Sequence, residues 1–164
     1  FPADRIALEN LPLKHGGRVL LRPGQSAVLG WWKIAPDSNG MAIVTPEVRD
    51  DGTIQMATRL LELNDLAAED PELREMQPAS FDIEQYGALD PDRLERVLAA
   101  IQERPGIDVM AMPMVMTAPD RPAIVQSSVF GDDGSAAAGF RMDLKASPAD
   151  AEGSLHLDFG LEMR

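Results

Sequence analysis

Four methionines alternate along one segment, at Met110, Met112, Met114 and Met116, and two tryptophans stand side by side at Trp31-Trp32. These are the positions where residue type and spacing suggest chemistry beyond ordinary packing. On an extended strand, neighbours point to opposite faces, so one indole can enter a core while the other reaches the surface. A surface indole combines a large apolar ring with a polar N–H and suits contact with a protein or a sugar. The alternative is that the loop over 35–40 covers it. Period two puts all four methionines on one face. Unbranched, polarizable methionine fills irregular gaps in a core, and it also serves adaptable contact surfaces. Apolar filling is the ordinary reading of the row. Trp31, Trp32, Met112 and Met114 are the candidate partner contacts.

Other chemistry-bearing residues fall into less specific settings. His15 precedes Gly16-Gly17 in an expected loop, and His156 lies on the polar face of an alternating strand. Neither has an acidic or hydroxyl partner at the spacing a general base needs, so both read as solvated histidines. Asp50-Asp51-Gly52 and Asp132-Asp133-Gly134 lack the alternating oxygen ligands of a calcium loop and match tight turns instead. No Gly-x-Ser-x-Gly occurs, Ser26, Ser127 and Ser128 have no evident His–Asp support, and Gly16-Gly17 has no Lys-Ser/Thr after it. With 27 acidic residues, a pair of nearby carboxylates carries no information about glycoside hydrolysis. The chain is therefore expected to work without catalytic residues, metal or cofactor.

Charge and composition narrow the partners. The 164 residues carry 15 basic and 27 acidic side chains, for a net charge of −12, and no cysteine. A basic face is needed to displace counterions from phosphates or to bind an anionic membrane, so nucleic acid and lipid surfaces are not expected partners. Disulfides and thiolate sites are excluded. No apolar run reaches the about 20 residues of a membrane helix. Phe1 stands where an initiator methionine would be, and signal-peptide removal and trimming both account for that.

The elements that must position these residues are mostly strands. Val19–Leu21 and Ala27–Leu29 flank the turn Arg22-Pro23-Gly24-Gln25, where Pro presets φ and Gly accepts a positive one. Pro36 to Gly40 reads as a loop. Met41–Val48 and the alternating run Ile54, Met56, Thr58, Leu60 form a hairpin about Asp50-Asp51-Gly52. Residues 64–88 are polar and proline-punctuated, a connector with one helical turn near Glu72–Met76. Residues 90–104 are the one amphipathic helix: Asp90 as N-cap, Pro91 at N1, and a stripe of Leu94, Val97, Leu98 and Ile101. Arg104-Pro105-Gly106 ends it. Strands are expected again over 107–117 and 123–130, joined by Pro119-Asp120-Arg121-Pro122. A loop follows at Asp132-Asp133-Gly134-Ser135 and the alanines after it. Phe140, Met142 and Leu144 alternate, and Leu155, Leu157, Phe159, Leu161 and Met163 alternate to the end. The last strand is expected at a sheet edge or paired with another subunit, since unpaired backbone groups are a template for pairing.

The fold class expected is α+β: mainly antiparallel β-hairpins with one amphipathic helix, 90–104, packed on the sheet. The chain reads as a single domain, 1–164, holding two pseudo-repeats at 18–63 and 107–163. In each, a short Ala-hydrophobic strand, a Gly-led strand with a hydroxyl-Pro pair (Thr45-Pro46, Ser147-Pro148) and a turn at Gly52 or Gly153 follow in order.

The second half resembles a known family. The capped helix Asp90 to Arg104 leads into Pro105-Gly106-Ile107-Asp108-Val109-Met110-Ala111-Met112-Pro113-Met114-Val115-Met116-Thr117. This is similar to the opening of the secretin domain of bacterial type II and type III secretion, where a helix precedes a strand ending in small-x-Pro-x-Val-x-Thr. Arg121 to Val125 and residues 139–163 resemble the strands that follow. Arg22 to Gly30 resembles the strand that closes the family's domain, although it precedes the helix here, and Ala118 to Pro122 stands in place of the family's Asn/Asp-Gly-Gln turn. The resemblance implies a non-enzymatic structural or assembly module, periplasmic or outer-membrane associated, that pairs strands with copies of itself or with other envelope proteins. The alternative function is a small periplasmic hydrolase or carbohydrate-binding protein using acidic residues with Trp31 or Trp32.

Overall fold

The computed structural model describes residues 13–64, 71, 87–130, 132–134 and 136–163. For 13–16, 29–35, 127–130, 136–139 and 163 it describes the backbone alone. The expected helical turn at 72–76 lies outside these residues. The elements are Leu13–Leu21 (β1), Ser26–Ala35 (β2), Ser38–Val48 (β3), Ile54–Asn64 (β4), Gly87–Leu89 (β5), Pro91–Glu103 (α1), Ile107–Ala111 (β6), Met114–Thr117 (β7), Pro122–Phe130 (β8), Ala136–Pro148 (β9) and Leu155–Met163 (β10). The architecture is α+β and antiparallel throughout, as the alternation implies.

Two sheets form, of order β1-β10-β9-β8 and β5-β2-β3-β4-β6, with β7 also pairing β4. Each holds one three-stranded meander, β2–β3–β4 or β8–β9–β10, in simple sequence order. The inward faces pack on one another. Val19 and Leu21, Ala42 and Val44, Ile54, Met56 and Leu60, Met142 and Leu144, and Leu155 to Leu161 at every second position share one buried cluster. The other face of the larger sheet has a cluster of its own. Val28, Met41, Ile43, Leu61, Leu63 and Leu89 gather with Val97 of α1, and Leu94, Ile101 and Ile107 pack against them. Period-two alternation explains how β3 feeds both clusters: Ala42 and Val44 go to one, Met41 and Ile43 to the other.

Several expectations are corrected. The turn Arg22–Gln25 closes as read, with Gln25 N–H donating to the Arg22 carbonyl at 3.1 Å and Gly24 at φ 84°. Yet β1 and β2 do not pair; the turn carries the chain from one sheet to the other. Residues 118–121 make the second crossing, with Asp120 at φ 63° and its N–H donating to the Ala146 carbonyl at 2.9 Å. His15-Gly16-Gly17 is strand, not loop. Gly16 pairs with Gly160 and Gly17 with Phe159, and that neighbour outweighs the low strand preference of glycine. β3 begins at Ser38, paired with Ala35, so the loop over 36–40 shrinks to a tight turn at Pro36-Asp37. The alanines after Ser135 belong to β9. β10 is no edge strand: β1 and β9 flank it on both sides.

The helix needs two adjustments. Asp90 occupies the N-cap with extended φ/ψ, but its side chain does not cap. Its Oδ1 accepts a hydrogen bond from the Gln25 side-chain amide at 2.8 Å, which ties the start of α1 to the first crossing turn. Within the stripe, only Val97 is fully buried, and Leu98 is half-buried and outside the cluster. At the far end, Arg104 turns extended before Pro105, as a residue preceding proline must. Gly106 then takes φ 84°, and a Cβ there would overlap the Asn64 side-chain amide. Its carbonyl accepts from Asn64 N–H at 2.9 Å. The positive φ therefore favours glycine where the helix hands the chain to β4, and any larger residue would also have to displace the Asn64 amide.

Candidate functional site

β6 and β7 form one interrupted strand along β4, their only sheet neighbour among the described residues. From Ala111 opposite Leu60 to Thr117 opposite Ile54 one register is kept, and the Pro113 carbonyl between them accepts from Thr58 N–H at 2.9 Å. Proline has no N–H to give a ladder, and an edge strand tolerates that. The register breaks once. Leu61 faces Val109 while Leu60 faces Ala111, so Met110 is the extra residue of a β-bulge.

That bulge decides what the methionines do. Met110 packs against the inter-sheet cluster along with Ala111 and Val115. Met112, Met114 and Met116 emerge on the opposite side and are 67%, 62% and 58% exposed. The row of four read from period two is therefore a row of three. Sequence alternation cannot register a residue that a bulge removes from the count. The ordinary reading, apolar filling, holds for Met110 and for the fully buried Met41, Met56 and Met142. For Met112 and Met114 the surface reading fits their exposure, and Met116, which was not singled out among the candidate contacts, belongs with them.

The methionines share their face with Ala57 and Gln55, their register partners in β4. Further along β4 the same face carries Leu61 and Leu63, buried with α1. So α1 covers one end of this sheet face, and the exposed methionines stand at the other. Val109 adds a further exposed apolar side chain at the boundary.

Trp31 and Trp32 lie in β2, where the pairing with β3 shifts between Gly30 and Trp32. Their backbone is at a bulge; their side chains are outside what is described, so the structure does not join them to the methionine row. His156 is half-buried on the outer face of β10, and its Nδ1 has no hydrogen-bond partner among the described residues. Asp51 serves its own turn: Oδ1 accepts from Thr53 N–H at 2.9 Å and from the Thr53 hydroxyl at 2.6 Å. These bonds hold its carboxyl below the usual carboxylate range. Asp150 does the same in the second meander, accepting from Ser154 N–H at 3.1 Å and Glu152 N–H at 2.9 Å.

The outer face of the smaller sheet is charged. Arg18 grips Asp158 with two hydrogen bonds, Nε–Oδ1 at 2.6 Å and Nη2–Oδ2 at 3.1 Å, and Lys145 Nζ stands 3.8 Å from the same carboxylate. The Arg18 hydrogen bond, reinforced by the Arg18 and Lys145 charges, holds the Asp158 carboxyl below its ordinary value. Arg141 pairs with Asp143 at 3.1 Å. These are cross-strand and same-strand surface pairs, an arrangement that keeps a sheet face wet. Among the described residues no group of three His, Cys, Asp or Glu could hold a metal, and no helix is long and apolar enough to cross a membrane. No protein-family model and no curated protein matches this chain.

Proposed function

We propose that the chain is a non-enzymatic assembly module of the bacterial envelope, secretin-like, which works by pairing its β6–β7 edge with a second copy of itself. The observation that carries this reading is the edge itself. From Val109 to Thr117 no residue is charged, β4 is the one strand paired with it among the described residues, and Met112, Met114 and Met116 are exposed. A hydrophobic edge strand is a pairing surface unless charge, proline, a bulge or cover blocks it; the bulge at Met110 and Pro113 interrupt this edge and leave Met114–Thr117 as its regular, uncharged run. Two chains of net charge −12 repel, and an uncharged edge is where their approach is least opposed. The segment is also the one whose helix-then-strand order and Ala-x-Pro-x-Val-x-Thr pattern resemble the secretin domain. A periplasmic or outer-membrane-associated location goes with that resemblance.

Sedimentation of the full chain at rising salt tests the proposal. Screening of like charge strengthens association if the edges pair. The double substitution Met114→Glu/Met116→Glu places charge on the edge and is expected to leave monomers, with its thermal melt unchanged because both sites are exposed. A wild-type chain that stays monomeric at every salt and at high micromolar concentration overturns the reading. So does association that survives the double substitution.

A further inference from the structure

Three consecutive exposed positions on one face of a strand are normally filled with β-branched or polar residues. Here all three are methionine. The chain has no cysteine, so thioethers are its sole sulfur donors. Met41, Met56 and Met142 are sealed in the core and Met110 packs inward. Among the methionines whose side chains are described, the donors available to a solute are thus concentrated on one short stretch of edge. Thioether sulfur is a soft ligand that favours Cu(I) over hard or borderline ions.

The spacing suits two donors at a time. Same-face neighbours on a strand stand about 7 Å apart at Cα. Two long unbranched side chains leaning toward each other across that gap can bring their sulfurs to either side of one ion. The electrostatics grade the three positions. Met114 faces Ala57 and Met116 faces Gln55, both uncharged. Arg59 shares that face of β4, two residues beyond Ala57 toward the Met112 end, and opposes a cation there. The net charge of −12 raises the concentration of cations near the whole chain.

We propose that Met112, Met114 and Met116 form a thioether site for a soft monovalent cation of the Cu(I) class, held chiefly by Met114 and Met116. One copy of the chain suffices, so the site does not depend on subunit pairing.

The test uses the full chain. Ag(I), a redox-inert ion of the same softness, is titrated calorimetrically in chloride-free buffer, and Cu(I) is measured anaerobically against a chromogenic chelator. The expected result is one ion per chain. Met114→Leu/Met116→Leu keeps the apolar bulk of the edge and removes its two best donors, so binding should weaken about tenfold or more. Met112→Leu should stay within about threefold of wild type, given the Arg59 charge beside it. Unchanged melting and sedimentation of the leucine variants separates loss of donors from loss of fold or of pairing. The site is overturned if wild type retains no ion, if the double variant binds as tightly as wild type, if Met112→Leu alone abolishes binding, or if Zn(II) competes on equal terms.

Discussion

The meanders β2–β3–β4 and β8–β9–β10 share a path and differ on one face. Both run antiparallel in sequence order. Both carry a hydroxyl-Pro pair late in the middle strand, Thr45-Pro46 and Ser147-Pro148, past the last register partner in the preceding strand, although the Thr45 hydroxyl still meets the Ser26 hydroxyl of β2 at 2.7 Å. Both then turn at a glycine with positive φ, Gly52 at 85° and Gly153 at 92°. Their inner faces meet in the same cluster. Outward, the first presents Met41, Ile43, Leu61 and Leu63, and the second presents Arg141, Asp143, Lys145, His156 and Asp158. The difference lies in what covers them. α1 lies over the first, and water over the second. The methionine row is a third case, an end of the first sheet's outer face beyond the buried α1 cluster, where Met112, Met114 and Met116 stay exposed between Arg59 of β4 and Glu47 of β3. An exposed apolar row of this kind within the same fold is where an interaction has to be sought.

The sharpest way to break this comparison is to truncate matched outer positions. Leu61→Ala opens a cavity between β4 and α1 and is expected to cost about 2–5 kcal/mol, as buried leucines do. Asp143→Ala, on the outer face of the second meander, is expected to stay within about 0.5 kcal/mol of wild type. Urea midpoints at constant m-value give both numbers. Equal losses at the two sites would mean that the outer face of the second sheet is also covered.

How much of this was legible beforehand follows from what each signal measures. Alternation is a local property, and it located β4, β9 and β10 because one residue in two is buried there. The α1 region was legible because Pro91, the apolar stripe and Pro105-Gly106 are all local too. Sheet order is not local. Nothing within Leu155–Met163 reveals that β1, 140 residues away between Arg18 and Asp158, will flank it, and β1 itself was hidden by Gly16-Gly17. The bulge at Met110 is likewise a property of two strands. Of the candidate contacts, Met112 and Met114 could be singled out by type, but their separation from Met110 could not. Trp31 and Trp32 remain identified by composition and by the backbone bulge.

The helix offers a finer test. Val97 is 0% exposed and belongs to the cluster with Met41, Ile43 and Leu61, whereas Leu98 is half-buried beside it. Val97→Ala is therefore expected to cost about 2 kcal/mol through two lost methyl groups and the space they leave. Leu98→Ala should cost under about 1 kcal/mol despite removing more atoms. The reverse ranking would show that α1 is turned by one residue relative to the sheet, and would weaken the contrast between covered and uncovered outer faces.

The smallest effect isolates the charged face. In the fold, Arg18 and Lys145 hold the Asp158 carboxyl below its ordinary value. A lowered folded value means that the ionised carboxylate is stabilised by folding, so its contribution is fully present above the unfolded value of about 4 and fades as pH falls through the lower folded value. Asp51 and Asp150 shift in the same direction through their turns. The acid sensitivity of wild type therefore sums several carboxylates, and only a difference measurement assigns a share to Asp158. Asp158→Asn removes the titrating group and keeps the shape. Its urea midpoint should lie slightly below wild type at pH 7, and the gap should close as pH drops below about 4, where wild type loses the same charge. Added salt should narrow the gap at pH 7, since both partners are solvent-accessible. A gap that persists unchanged at low pH would assign the loss to packing in place of charge, and the outer face of the second meander would then resemble that of the first.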